Sequence, residues 1–364
     1  MRRHGETGEA LMTVMNNYAG RRVLITGHTG FKGIWLSRLL EHLGAEVHGI
    51  SLAAEPGSLA ARLEDPPRAF HEILDVRDQV GVARTVTRVK PEIVFHLAAQ
   101  ALVIRSFSHP VETFSTNVMG TVNVLDAVGS SDQCSGVVVA TTDKVYAPRQ
   151  DGRSLTEEDR LGGVDPYSAS KAAVELVVES WRHVYEQRNQ GTALVTARAG
   201  NVIGGGDSSA HRILPDLLRS FRCGEPLVVR NPTSIRPWQH VLDALWGYLR
   251  LGDEILAGAQ MAPAYNFGPS EALNISVAEI CNYACERWGF APGWIHVPDE
   301  RAVPETAVLR LSSERAATEL DWRPQLNSLE AIDWALSWEM DAVSKGPEHA
   351  TQAQVEAFCR GQMR

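Results

Sequence analysis

Val23-Leu24-Ile25-Thr26 runs straight into Gly27-His28-Thr29-Gly30-Phe31-Lys32-Gly33, and then into a helical pattern over residues 34–43 that Gly44 closes. An apolar strand, a glycine turn and a helix, in that order, form the opening unit of a dinucleotide-binding fold. Gly27 permits the tight turn, Gly30 lets the backbone approach a pyrophosphate, and Gly33 lets helix and strand pack closely. The start of the helix then offers free N–H groups and a positive dipole end to phosphates. Three isolated glycines would carry little weight; the strand before them and the helix after supply it. Gly27, Thr29, Gly30, Phe31, Lys32 and Gly33 are accordingly assigned to a bound dinucleotide.

Outward from this unit the pattern repeats. Further strand-like runs are expected at residues 46–50, 70–74, 93–98, 137–141 and 193–197, each separated from the next by enough chain for a crossover helix. Such alternation predicts right-handed βαβ units and a Rossmann-type α/β fold with a doubly wound parallel sheet. Asp75-Val76 closes the third strand, where a carboxylate can meet an adenine amino group. Leu97-Ala98-Ala99-Gln100 closes the fourth, and its small side chains leave room for a flat nucleotide. Asn117 and Thr141 are placed in the same cofactor set. The second strand ends Ile50-Ser51-Leu52, with neither an acid for a ribose 2′-hydroxyl nor an Arg for a 2′-phosphate, so this position does not choose between NAD and NADP.

After Gly204-Gly205-Gly206 the segments shorten, and Pro215, Pro226, Pro232 and Pro237 punctuate them. The expected organisation is an N-terminal extension over 1–20 and a dinucleotide-binding domain over 21–204, with a return segment near 236–251. A smaller, mainly helical substrate lobe over 205–340 and a polar, partly disordered tail over 341–364 complete it.

Composition narrows the functional classes. Of 364 residues, 44% are hydrophobic and 22% charged, as in ordinary globular enzymes. A net charge of −9 argues against a nucleic-acid or anionic membrane surface. No run reaches the roughly 18 apolar residues of a membrane span. Five cysteines without framework spacing fit a reducing cytoplasm. Cys281 and Cys285 share a helix face but lack further ligands, and the twelve histidines show no metal spacing, so no metal is expected.

The chemistry-bearing segment is Thr141-Thr142-Asp143-Lys144-Val145-Tyr146, which follows the apolar run Val137-Val138-Val139-Ala140. Polar side chains at the carboxyl end of a buried parallel strand sit where open α/β sheets place their active sites. Further on, Tyr167-Ser168-Ala169-Ser170-Lys171 puts a phenol and an ammonium at i and i+4 on one helix face. A phenol with its ordinary pKa of about 10 is a poor base at neutral pH. The ammonium and a positive nicotinamide ring are expected to lower it, so that Tyr167 takes a proton from a sugar hydroxyl while hydride leaves for the cofactor.

These motifs resemble the extended short-chain dehydrogenase/reductase superfamily and, within it, the CDP-glucose 4,6-dehydratase family. The resemblance runs from about Arg21 to Trp322. Besides GHTGFKG, it rests on PEIVFHLAAQ from Pro91, PVETFSTNVMGT from Pro110, DPYSASK from Asp165, ARAGNVIGGGD from Ala197 and RNPTSIRPWQHV from Arg230. Its weakest stretch is PDERAVPETAVLRL from Pro298. It implies NAD as cofactor, a nucleoside-diphosphate hexose as substrate, and a homodimer built on helices around 111–128 and 167–185.

The resemblance also implies roles. Thr142 shares the C4 oxygen with Tyr167, and Asp143 protonates the departing C6 hydroxyl. Lys144, standing where dTDP-glucose dehydratases carry Glu, removes the C5 proton as a neutral amine, or else stabilises the enolate as a charged group. Arg198, Asn201, Arg212, Arg230 and Arg236 are the candidates for the substrate diphosphate. The expected reaction is C4 oxidation, loss of water across C5 and C6, and return of hydride to C6. An epimerase on the same scaffold and a non-catalytic cofactor sensor are the alternatives.

Overall fold

A computed structural model describes residues 14, 17–63, 70–149, 151–269, 275–298 and 309–362. Most of the extension expected over 1–20, and residues 299–308 of the segment from Pro298, lie outside the described residues.

Seven parallel strands form the central sheet in the order β10-β6-β5-β4-β1-β2-β3. They are β1 (Arg22–Thr26), β2 (Glu46–Ser51), β3 (Phe70–Ile73), β4 (Ile93–His96), β5 (Gly136–Ala140), β6 (Ala193–Ala199) and β10 (Ala264–Phe267). β5 is buried along its whole length, as a strand covered on both faces must be. One face packs on helix Phe31–His42, helix Val241–Leu256 and the C-terminal helices, through Trp35, Leu36, Leu245 and Phe358. Helices Gln79–Val89, Gly120–Val128 and Pro166–Gln187 cover the other, through Val82, Val124 and Val178. The strand order reverses between β1 and β4, which opens a crevice at their carboxyl ends.

Helix Val241–Leu256, from the stretch expected to return to the first domain, packs on β5, β6 and helix Phe31–His42, and β10 follows it into the sheet beside β6. β10 was not among the expected strands: its sequence, Ala-Tyr-Asn-Phe, is too short to show a period. A separate cluster of Leu214, Leu217, Trp238, Ile280 and Leu336 forms the core of the outer lobe. There the pairs β7 (Val202–Ile203) with β9 (Gln239–His240), and β8 (Leu227–Val229) with β11 (Trp294–His296), join helices Ile213–Cys223 and Val277–Trp288.

Two expectations about the ends are corrected. Tyr18, read as part of a loose extension, is fully buried, and its hydroxyl donates to the Leu249 carbonyl at 2.9 Å. The tail from 341, expected to be partly disordered, is helical over its described residues: helices Ser328–Lys345 and Pro347–Gln362 carry it to residue 362. Val355 and Phe358 enter the core, and Arg38 pairs with Glu348 at 2.9 Å. The polar residues that suggested disorder are the solvent face of an amphipathic helix. Among the described residues, no helix is long and apolar enough to cross a membrane.

Candidate active site

The crevice is a cleft of about 1760 Å³, beyond the ~300–1,000 Å³ of a single small-ligand pocket. The glycine turn, the ends of β3 and β4, residues 141–144, Tyr167, Lys171, Asn201, Arg212, Arg230 and Arg236 all line it.

On the glycine-turn side, close approach dictates the residue types. Gly27 has φ +80°, and a Cβ there would lie 2.7 Å from the Ala98 nitrogen; at Gly33 it would lie 2.1 Å from the Gly27 carbonyl oxygen. Gly30 occupies the N-cap of helix Phe31–His42 and has no side chain to block the exposed N–H groups. Where an acid is usual at the end of β2, the Thr29 and Ser51 hydroxyls bond each other at 2.6 Å, and Thr29 also donates to the Leu52 carbonyl. Asp75 lines the cleft in an ion pair with Arg77 at 2.6 Å, which holds its carboxyl below the usual range. Val76, Leu97, Ala98, Ala99 and Gln100 line the same side, as do Phe31 and Lys32. Lys32 donates to the Tyr248 hydroxyl at 3.2 Å, and burial pushes its ammonium down to about 7.

Asn117 is corrected from ligand to brace. It is buried away from the cleft lining, accepts from the Gln100 N–H at 2.8 Å and donates to Ser170 Oγ at 2.8 Å. It thereby ties the loop after β4 to helix Pro166–Gln187.

The reacting groups meet at the end of β5. Asp165 caps helix Pro166–Gln187 by accepting from the Ser168 N–H at 2.9 Å, and Pro166 begins the helix. This start puts Tyr167 and Lys171 on successive turns facing residues 140–143. The Thr142 hydroxyl lies beside the Tyr167 phenol, opposing the rise of its pKa, and donates to Asp143 Oδ1 at 2.9 Å. The Lys171 ammonium donates to the Ala140 carbonyl at 2.9 Å.

Asp143 is fully buried, and its Oδ2 has no hydrogen-bond partner among the described residues. A Cβ at Gly200 would fall 2.1 Å from that oxygen, so glycine is what lets the carboxyl sit there. Lys144 reaches Asp143 Oδ1 at 3.2 Å and Asn201 Oδ1 at 3.4 Å. Asn201 holds φ +31°, a conformation that costs a residue with a Cβ ~1–2 kcal/mol and that Asn tolerates better than most.

Electrostatics modify two expectations. Burial pushes the Tyr167 phenol up to about 12 rather than down, with Thr142 and Arg212 opposing the rise. Burial likewise lowers Lys171 to about 8, against the pull of Glu175. Lowering the phenol therefore depends on added positive charge, as from a nicotinamide ring. Lys144, expected as a free amine or else as a charged group beside the enolate, stands in a salt bridge with Asp143.

On the outer lobe, Arg212 lines the cleft while paired with Asp207 at 3.0 Å, and Arg230 and Arg236 line it as well. Arg198 does not line it. It is buried on β6, with Nε and Nη2 donating to Glu175 at 3.1 and 2.8 Å, so the assignment to a diphosphate is corrected. Sequence reading missed Arg310 and Arg149 in the cleft wall, the need for glycine at 200, and Glu175. Of these only Glu175 had a signal, its place four residues beyond Lys171 on the same helix face.

Comparison with known proteins agrees with this geometry. The model of the NAD dependent epimerase/dehydratase family matches residues 23–268. The chain belongs to that family. CDP-glucose 4,6-dehydratase of Salmonella typhimurium is 40% identical over 333 residues, 89% of this chain and 91% of that enzyme. UDP-glucose 4-epimerase of Thermus thermophilus in complex with NAD superposes with a TM-score of 0.72 at 26% identity, over 87% of this chain and 98% of that one. The dTDP-glucose 4,6-dehydratase DesIV of Streptomyces venezuelae shares the fold, with a TM-score of 0.76 at 24% identity over 90% and 99% of the two chains. The family's NAD requirement suits the glycine turn, whose contacts exclude any side chain at Gly27 and Gly33.

Proposed function

We propose that the protein is a nucleotide-sugar 4,6-dehydratase that converts CDP-glucose to CDP-4-keto-6-deoxyglucose. The observation that carries the reading is the buried Asp143 carboxyl beside Thr142 and Tyr167, its Oδ2 without a hydrogen-bond partner among the described residues. Oxidation at C4 alone needs a base and a hydroxyl; a carboxyl added to them serves the loss of a C6 hydroxyl. Gly27, Gly30, Gly33 and Asp75 would hold NAD, which would supply the hydride acceptor for oxidation at C4 and the hydride donor for reduction at C6.

The protein's own groups do the rest. Tyr167 takes the proton of the C4 hydroxyl, Thr142 fixes that oxygen, and Lys171 supports the developing phenolate. Once C4 is a ketone the C5 proton is acidic and passes to water in the open cleft, while Asp143 in its protonated form hands its proton to the departing C6 oxygen, which leaves as water. Hydride return to C6 and protonation at C5 complete the product. Lys144 and Asn201 hold Asp143 in place, while Arg212, Arg230 and Arg236 provide the cations for the diphosphate.

Purified protein incubated with CDP-, dTDP-, GDP- and UDP-glucose is expected to give a product lighter by one water, with CDP-glucose preferred, by mass spectrometry. An isomer of unchanged mass would instead identify an epimerase.

A homodimer through helices Gly120–Val128 and Pro166–Gln187 and their approach segment belongs to the same reading. Leu125, Val174 and Val178 turn inward to the sheet, whereas Val111, Phe114, Met119 and Leu176 are exposed. Light scattering at micromolar concentration is expected to give twice the 39.9 kDa chain mass, and Leu176→Glu to shift it to the monomer.

A further inference from the structure

Behind the reacting groups lies a buried ion pair to which the reading above gives no task. Glu175 stands one helical turn beyond Lys171 and is absent from the cleft lining. Each of its oxygens has two donors. Oε1 accepts from Thr141 Oγ1 at 2.6 Å and from Arg198 Nε at 3.1 Å. Oε2 accepts from Thr196 Oγ1 at 2.7 Å and from Arg198 Nη2 at 2.8 Å. Arg198 in turn donates to the Tyr146 hydroxyl at 3.0 Å, and that hydroxyl donates to Asn266 at 2.6 Å.

The elements joined are the ones that carry the reacting groups. Thr141 lies between Ala140, whose carbonyl holds Lys171, and Thr142, which contacts Tyr167. Thr196 and Arg198 belong to β6, which leads directly to Gly200 and Asn201. Helix Pro166–Gln187 bears Tyr167, Lys171 and Glu175 itself. We propose that Glu175 is a positioning residue for the dehydration, one carboxylate that locks the Tyr167–Lys171 helix to the strand ends bearing Thr142, Asp143 and Asn201 and serves as counter-charge to Lys171. This rests on the proposed function, in which Lys171 acts as an ammonium.

A group that merely filled the core would hold structure without acting on charge. Glu175 differs, because its charge acts on Lys171 and favours the ammonium. The other groups around Lys171 are Tyr167 on its own helix, Asp143 beyond β5, Lys32 on the first helix, His96 on β4, Arg198 on β6 and Tyr248 behind Tyr167. Burial disfavours the ammonium, and Glu175 is the anion that opposes this from within the helix.

The test is the pH profile of CDP-glucose turnover, with thermal melting measured alongside. Glu175→Gln is expected to lower kcat by roughly 10–100-fold, as misplacement of reacting groups does, with the KM for CDP-glucose unchanged. Its alkaline limb should move down by about one pH unit, because Lys171 loses its proton earlier. Arg198→Gln removes the cation on the far side of Glu175 and should move the limb up, whereas Arg198→Lys should leave it in place. Stranding one member of a buried pair can prevent folding; if Glu175→Gln does not fold, the direction of the Arg198→Gln shift decides. Unmoved limbs, with activity falling only as the melting temperature falls, would make the pair structural and overturn the proposal. Wild-type protein inert toward CDP-glucose would overturn the proposed function and this role with it.

Discussion

Replacing Tyr167 with Phe is expected to reduce turnover of CDP-glucose by roughly 10²–10⁴-fold, the range for a lost general base. The ring is buried, so Phe keeps its packing and loses only the hydroxyl that meets Thr142. Nucleotide-sugar affinity should stay within a few-fold of the parent, measured by calorimetry. Because burial, only partly offset by Thr142 and Arg212, leaves the phenol at about 12, it is protonated at neutral pH, and its use as a base there depends on added positive charge. Activity in the parent should therefore fall toward acid pH as the phenolate is lost, and the residual activity of Tyr167→Phe should lack that limb. Near-normal turnover in the variant would remove Tyr167 from the mechanism.

Lys144→Met tests whether this lysine is the C5 base or a partner of Asp143. Its ammonium is held on Asp143, the group assigned to the C6 oxygen, and on Asn201. A partner of the acid, rather than the C5 base, is the role this geometry favours. The variant should still reduce its bound NAD when given substrate, since Tyr167 and Lys171 are untouched, and in heavy water it should still take up deuterium at C5. Loss of water should slow by roughly 10²–10³-fold, the scale for removing one preorganised charged partner in a buried site. NAD reduction without deuterium at C5 would return Lys144 to the role of base.

How far the sequence alone reaches differs from element to element. The Val23–Gly33 unit was readable because strand, turn and helix are local, and close backbone contacts at Gly27 and Gly33 admit glycine only. The pairing of Tyr167 with Lys171 was readable because it depends on helical spacing within a single element, fixed by the Asp165 cap. Their convergence on Thr142 and Asp143 followed from the rule that parallel strands present their sites at carboxyl ends. Contacts between elements distant in sequence were not readable. Arg198 looked like a diphosphate ligand because nothing local shows that Glu175, 23 residues earlier, claims its guanidinium. Asn117 looked like a cofactor ligand until Gln100 and Ser170 were found to take its amide. The polar C-terminal stretch looked disordered because its few apolar residues have no partner until helix Phe31–His42 offers one. Sequence by itself determined the parallel αβ framework, the dinucleotide turn and the main reacting side chains, since these follow from local backbone geometry and short-range periodicity. Tertiary structure decided which charges are paired and which remain open to a ligand, because in a buried site charge is settled by neighbours that folding, not chain order, brings together.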